Sequence, residues 1–177
     1  MYIKYGCATL RAIEENDFDL LFFMMNDPDI ENQTVGWHLP VSSLEQKQWI
    51  AAYKNTDTNI RLMVELINGK TIGMVSLTDI DWKNKTAGLG YKIHAPLEDR
   101  IKGDIFDGSM ALLNYTFNEL GLNCIECRTL VNNVFSLKLQ YKLGFKKEGE
   151  IRERIYKNGK YHNQIVTSLL KSEFEGN

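Results

Sequence analysis

The chain has 177 residues, of which 44% are hydrophobic and 25% are charged, and its formal net charge is −2. A chain of this length folds around one core, so we predict a single domain over residues 1–177. The near-neutral charge gives no overall field that would attract nucleic acid or an anionic membrane. The longest apolar run, residues 20–25, is far shorter than the ~20 residues of a membrane span, and the first residues lack the apolar segment of a secretion signal. We therefore expect no nucleic-acid or membrane partner and a cytoplasmic location.

The first third of the chain predicts one strand and two helices. Residues 7–13 read as a strand, and residues 16–27 predict a helix with Pro28 just past its end. A second helix follows. Its capping box is either Ser43–Gln46 or, one residue earlier, Ser42–Glu45.

The middle of the chain predicts three strands. Residues 60–67 and 70–80 are joined by Asn68-Gly69, which supplies the positive φ angles of a tight hairpin turn. Residues 86–94 form the third strand of this group.

The last part predicts strands and helices in alternation. Residues 105–120 place apolar side chains at helical spacing and end at Gly121. The next strand covers residues 124–131, and the next helix ends at Gly144. The apolar face of the first of these helices is made by Phe106, Met110, Leu113, Phe117 and Leu120.

A final hairpin turns at Asn158-Gly159. Hairpins pair their strands antiparallel, whereas the strand–helix–strand segment from 86 to 131 favours one parallel pair. We therefore predict an α/β (α+β) fold with a single mixed, mostly antiparallel sheet of about seven strands and about four helices.

Cys124 and Cys127 have the C-x-x-C spacing of many zinc and redox sites. Both lie in a predicted strand, where residues three apart point to opposite faces. The two thiols should not converge, and we expect no metal.

Residues 98–105, EDRIKGDI, lead from a strand into a helix. Free backbone N–H groups at a helix N-terminus attract anions, and Arg100 and Lys102 add positive charge. Gly103 would let a ligand approach the backbone closely. Asp104 opposes a phosphate, although an acid also suits an empty helix end.

A second motif begins thirty residues later. Asn133 is followed by a serine at position 136 and by Gly144-Phe145. With the loop at 100–105, this pattern resembles the GNAT superfamily of acetyl-CoA-dependent N-acetyltransferases. Within it, the chain is most similar to the branch of ribosomal-protein N-terminal, spermidine and amino-sugar-nucleotide acetyltransferases.

The resemblance implies a coenzyme site between two splayed central strands. The loop from Arg100 to Ile105 would hold the pyrophosphate through its backbone, although Ile105 stands where the family has a small residue. The pantetheine arm would lie along Tyr91–His94, and Asn133 and Ser136 would contact the arm and the thioester. The implied cofactor-binding residues are Ile93, His94, Arg100, Ile101, Lys102, Gly103, Asp104, Ile105, Asn133 and Ser136.

Many family members carry a tyrosine as general acid for the leaving thiolate, seven residues after the asparagine. Gln140 occupies that position here, and Tyr141 follows it. One residue is a rotation of ~100° around a helix, so Tyr141 should face elsewhere and serve in packing. We predict that Ser136 takes the place of this tyrosine as the general acid.

The acceptor amine must lose a proton before it attacks, so a general base is useful. Tyr91 and His94 are the catalytic candidates that accompany Ser136, and Glu65, Asp79 and Asp81 are further candidates for the base. Asp79 and Asp81 could instead bind a cationic amine. The exposed aromatics Trp37 and Trp82, in predicted loops, suit stacking on a sugar or a base.

The expected function is acetyl transfer to a primary amine on a small molecule or a peptide. Acceptors in order of preference are an amino sugar on a nucleotide carrier, a protein N-terminus, and a polyamine or aminoglycoside. The alternative is a catalytically inactive protein of the same fold that binds coenzyme A or a partner. A homodimer is an open option for the assembly.

Overall fold

The computed structural model describes residues 2–174. Its strands are β1 Ile3–Tyr5, β2 Ala8–Arg11, β3 Ile60–Leu66, β4 Thr71–Asp81, β5 Thr86–Ile93, β6 Cys124–Leu130, β7 Lys146–Lys157 and β8 Lys160–Leu170. These eight strands form one sheet in the order β1-β2-β3-β4-β5-β6-β8-β7. The mixed sheet is confirmed, with one strand more than predicted. The extra strand, β1, has three residues and is too short to show a periodic pattern.

Helices cover both faces of this sheet. The α-helices of residues 2–174 are α1 Phe18–Asn26, α2 Pro28–Gln33, α3 Ser43–Ala52, α4 Asp104–Asn114, α5 Val134–Lys142 and α6 Lys171–Phe174. The prediction missed α2 because Pro28 was interpreted only as a stop. Proline also suits the first turn of a helix, and the Asp27 carboxylate accepts hydrogen bonds from the next free N–H groups. No helix in the described part of the chain is long and apolar enough to cross a membrane.

Local hydrogen bonds correct two further details. The capping box of α3 is Ser42–Glu45, in which each side chain bonds the backbone N–H of the other residue, so the Ser43–Gln46 alternative is wrong. In the first hairpin only Gly69 has a positive φ, at 79°. Asn158 and Gly159 both have positive φ, at 51° and 75°, as the second hairpin requires.

The two faces of the sheet carry different apolar clusters. Val64 packs in a large cluster that includes Leu112 of α4 and Phe117 of the short π-helix Tyr115–Glu119 that follows it. Met63, the neighbouring residue in β3, packs in a small cluster with Leu21 and Met24 of α1. Neighbours in a strand point to opposite faces, so α4 and α1 lie on opposite sides of the sheet.

The central strands separate where the candidate site lies. β5 and β6 pair in parallel only over Thr86–Gly88 and Cys124–Glu126. Beyond these residues β5 continues along β4 to Ile93, while β6 continues along β8 to Leu130. The resulting gap is the splay that the resemblance implied.

Candidate active site

The gap between β5 and β6 opens into a cleft of about 820 Å³. Its walls come from both strands, from α5 and from the segment that runs from α1 to α3. This volume is within the usual range of small-molecule sites, about 300–1,000 Å³. The cleft therefore has room for a cosubstrate arm and an acceptor together.

The backbone of β5 offers unpaired polar groups to the gap. The N–H of His94 donates to the carbonyl of Ile72 at 2.8 Å, so even-numbered residues of this strand bond to β4. Odd-numbered residues then face β6. The N–H of Leu89 meets the Cys127 thiol, whereas Tyr91 and Ile93 have no residue of β6 opposite them. Their backbone groups are free to bond an added extended chain.

The Tyr91 side chain crosses the gap to the first turn of α5. Its hydroxyl donates to the Ser136 carbonyl at 3.2 Å and also interacts with the Gln140 side chain. Burial raises the pKa of Tyr91 above its usual value of 10. The phenol therefore keeps its proton at neutral pH and can donate it.

The helix α5 begins at Asn133, which is its cap. The Asn133 side-chain oxygen accepts the Ser136 N–H at 3.1 Å, and its amide donates to the carbonyl of Gln33 at 2.9 Å. This side chain joins α5 to the end of α2. Asn133 and Ser136 both line the cleft.

Gln140 is buried and bridges two strands. Its amide donates to the Thr129 hydroxyl at 2.8 Å, and its carbonyl accepts from the Thr167 hydroxyl at 2.9 Å. Tyr141 does not line the cleft, as expected, and is 48% exposed, so its packing role stays a prediction. A phenol does approach Gln140, and it comes from Tyr91 on β5.

In the predicted phosphate loop the Asp104 side chain turns inward and is only 5% exposed. The carboxylate accepts hydrogen bonds from the Arg100 guanidinium and from the backbone N–H groups of Ile101 and Ile105, at 3.3 and 2.7 Å. Burial alone would raise the pKa of Asp104, but these hydrogen bonds outweigh it and hold the pKa below its usual value. The acid does not project into the loop. It does, however, occupy donors that a phosphate would use.

Ile105 and Gly103 leave the outer side of the loop open. The Ile105 side chain is 6% exposed and packs in the large apolar cluster, so the branched residue does not fill the loop. Gly103 has a φ of 92°, and a Cβ on it would meet no atom within 4 Å. Lys102 is exposed beside it.

Two of the candidate bases, His94 and Glu65, contact other side chains instead of the cleft. The His94 ring stacks on Phe23 of α1 with centroids 4.1 Å apart, and its backbone N–H is bonded to β4. Glu65 forms an ion pair with Arg11 at 2.7 Å. Neither residue lines the cleft.

The predicted substrate residues fall in two places. Trp37 lines the cleft and is 78% exposed. Asp79 and Asp81 lie at a bulge of β4, where Asp79 has a φ of 51°, and Asp81 caps the β4–β5 turn through the N–H groups of Lys83 and Asn84. These two acids lie outside the cleft. Trp82 also lies outside it and donates its indole N–H to the carbonyl of Asp57 at 2.7 Å.

The two cysteines of the C-x-x-C spacing do not come together. Cys127 is buried and lines the cleft, whereas Cys124 is half-buried and has its thiol bonded to Ser168. In residues 2–174 no group of three or more His, Cys, Asp or Glu side chains is arranged to hold a metal ion.

Sequence reasoning missed the five charged residues that line the cleft: Glu31, Glu45, Arg61, Lys92 and Arg128. Lys92 has a recognisable signal, since a charged residue stands between Tyr91 and Ile93 in an apolar strand. Burial lowers its pKa below the usual 10.5. Glu31 lies in α2, which the sequence did not predict.

Comparison with known proteins agrees with this geometry. The Acetyltransferase (GNAT) domain family matches residues 8–146. A Bacillus subtilis protein described as an SPbeta prophage-derived uncharacterized N-acetyltransferase, YokL, is 31% identical over 169 residues, which cover 96% of this chain and 93% of that protein. The putative ribosomal N-acetyltransferase YdaF of the same organism is 38% identical over 111 residues, or 63% of this chain and 60% of YdaF.

A solved structure extends the likeness to the whole fold. The spermidine N-acetyltransferase of Vibrio cholerae, in complex with CoA and spermine, superposes with a TM-score of 0.84 at 25% identity, covering 95% of this chain and 98% of that one. None of these relatives supports the inactive alternative. The splayed strands, the loop before α4 and the matched family agree, and the chain belongs to the GNAT family of acetyl-CoA-dependent acetyltransferases.

Proposed function

We propose that this enzyme acetylates a primary amine on a small molecule or a peptide, with an amino sugar on a nucleotide carrier ahead of a protein N-terminus and a polyamine. The observation that carries the proposal is the gap beside Tyr91 and Ile93, whose free backbone groups suit a pantetheine arm laid along β5. Trp37 at the mouth of the cleft suits stacking on a sugar or a base. A cytoplasmic location and a homodimer stay predictions.

In the proposed reaction the amine attacks the thioester directly. Acetyl-CoA supplies the acetyl group as a thioester. The neutral amine nitrogen bonds to the acetyl carbon and the carbon–sulfur bond breaks. The nitrogen releases one proton to solvent, and the departing thiolate takes one proton from the protein. The Ile93 N–H is our candidate donor to the oxyanion, because it faces the gap without a partner strand.

Tyr91 and Ser136 are the proposed donors to the thiolate. Both side chains line the cleft, and the Tyr91 hydroxyl already lies 3.2 Å from the first turn of α5. Because burial raises the pKa of Tyr91, its proton is retained until the thiolate forms. The tyrosine that the family carries on this helix is thereby replaced by one from β5.

The loop from Arg100 to Ile105 is the proposed pyrophosphate site. Asp104 accepts from the Nε and Nη2 groups of Arg100 and from the Ile101 N–H. The remaining donors of the loop are the N–H groups of Lys102 and Gly103, the Lys102 ammonium and the Nη1 group of Arg100. We therefore expect weaker coenzyme binding than in a relative whose loop donors are all free.

Release of free thiol from acetyl-CoA tests the proposal. The acceptors are a nucleotide-linked amino sugar, a peptide with a free N-terminus, and spermidine. Saturable release with one of these amines is expected. If acetyl-CoA binds and none of the three amines increases the release, the proposed function is wrong.

A further inference from the structure

Lys92 places a positive charge in the cleft without an acidic partner. Its side chain points to the α1 face, where the ammonium lies 3.7 Å from the sulfur of Met25. A thioether is a weak acceptor. Within residues 2–174, Lys92 has no carboxylate within 4 Å. Burial, with the charges of Lys157 and Arg61 nearby, lowers its pKa, and Glu31 only partly offsets this.

Arg61 adds a second unneutralised charge on the same face of the sheet. It pairs across the strands with Ser76 of β4, which in turn pairs with Gly90 of β5. Its guanidinium lies 5.8 Å from the centre of the Tyr53 ring, and among the described residues it forms no ion pair. Because Ser76 is small and Gly90 has no side chain, they leave open space in the cleft next to the two cations.

The two acids that line the cleft already have partners. Glu31 pairs with Lys157 at 2.8 Å through Oε1, whereas its buried Oε2 lies 3.2 Å from His38 Nε2 and forms no hydrogen bond with it. The Glu45 carboxylate accepts the Ser42 N–H at 2.8 Å in the cap of α3. Neither acid lies within 4 Å of the Lys92 ammonium or the Arg61 guanidinium, so neither cation has an ion-pair partner among the described residues of the cleft.

We infer that the acceptor carries an anionic group, a phosphate ester or diphosphate, which Lys92 and Arg61 bind while the amine reaches the gap between β5 and β6. The inference rests on the proposed function and narrows its acceptor. A buried ammonium and a guanidinium form strong charge-assisted hydrogen bonds to phosphate. Trp37 and Trp49 line the same cleft and would suit the base of a nucleotide. A polyamine would instead meet like charges in a site of reduced dielectric.

The test compares three forms of one amino sugar: the nucleotide diphosphate, the 1-phosphate and the methyl glycoside, with spermidine as a fourth acceptor. Thiol release gives kcat/KM for each. We expect the two phosphorylated forms to exceed the methyl glycoside by tenfold or more, and spermidine to be poorest. Lys92→Met should bring the ratio of phosphorylated to uncharged acceptor towards 1, Arg61→Gln should lower it, and Lys92→Arg should largely preserve it.

Several results would overturn the inference. One is a ratio of kcat/KM for phosphorylated and uncharged acceptors that is the same in Lys92→Met and the wild type. Another is a preference of the wild type for spermidine, which would leave the proposed function intact. A preference for the nucleotide diphosphate with no gain from the 1-phosphate would assign recognition to the nucleoside instead. If no amine releases thiol, the proposed function fails, and the inference is then tested by thermal shift with the 1-phosphate at saturating CoA. Equal stabilisation of wild type and Lys92→Met would refute it.

Discussion

Replacing Asp104 by alanine should tighten coenzyme binding even though it destabilises the protein. The carboxylate holds the Arg100 guanidinium and the N–H groups of Ile101 and Ile105. In the proposed binding mode these are donors that a pyrophosphate could use. The substitution frees them and removes one negative charge from the loop.

The magnitudes follow from the burial of the pair. Removing one partner of a fully buried ion pair costs about 3–5 kcal/mol. The Asp104 side chain is 5% exposed but that of Arg100 is 25% exposed, so we expect a loss of about 2–3 kcal/mol. For a domain of this size the melting temperature should fall by roughly 4–12 °C. One or two recovered hydrogen bonds to charged groups should tighten coenzyme binding by about tenfold, or ~1.4 kcal/mol.

Urea unfolding without ligand and calorimetric titration with CoA measure the two effects separately. Asp107→Ala is the control, because Asp107 lies in the first turn of the same helix but bonds the Cys7 N–H at 2.9 Å. It should destabilise the protein and change CoA affinity far less than Asp104→Ala does. Weaker CoA binding by Asp104→Ala would show that the carboxylate organises the loop for the coenzyme, contrary to our reasoning.

Three further predictions concern the cleft. Tyr91→Phe should lower kcat by about 10²-fold with little change in the KM for acetyl-CoA. Because burial raises the Tyr91 pKa, the kcat of the wild type should not fall with rising pH before about pH 10. Equal kcat values in the wild type and the variant would exclude Tyr91 as the acid. Trp37→Ala should raise the KM for the acceptor about tenfold. The free energy of unfolding in urea should change by less than about 0.5 kcal/mol, because the side chain is 78% exposed. An unchanged KM would show that Trp37 does not bind the acceptor. Lys92→Met should be more stable than the wild type at pH 7, because the folded state disfavours the Lys92 charge. This difference in unfolding free energy should shrink as the pH rises from the lowered pKa of Lys92 towards 10.5. A stability difference that does not depend on pH would contradict this prediction.

The sequence predicts the arrangement of the strands at the site better than it predicts the orientations of the side chains there. The helix between residues 86 and 131 required a parallel neighbour for β5, and that pair is present over three residues of each strand. The direction of Asp104 could not be read in the same way, since an acid in the first turn of a helix normally faces solvent. It turns inward here because Arg100 and two backbone N–H groups lie within its reach.

Strand alternation failed where the backbone is irregular. A regular strand would place Asp79 and Asp81, which are two residues apart, on one face, but the positive φ of Asp79 marks a bulge that interrupts the alternation. Lys92 obeys the alternation and points away from Tyr91. The sequence did not tell which face of the sheet α1 would cover, so the burial of Lys92 became visible only in the structure.

The coenzyme loop is tested most directly at Gly103. Aspartate and asparagine are similar in size and both tolerate positive φ, and a side chain at this position has open space around it. Steady-state thiol release should show a KM for acetyl-CoA that rises at least tenfold in Gly103→Asp and much less in Gly103→Asn. Equal KM values in the two variants would contradict a pyrophosphate at this loop, and no thiol release by the wild-type chain with any acceptor of the panel would contradict the account as a whole.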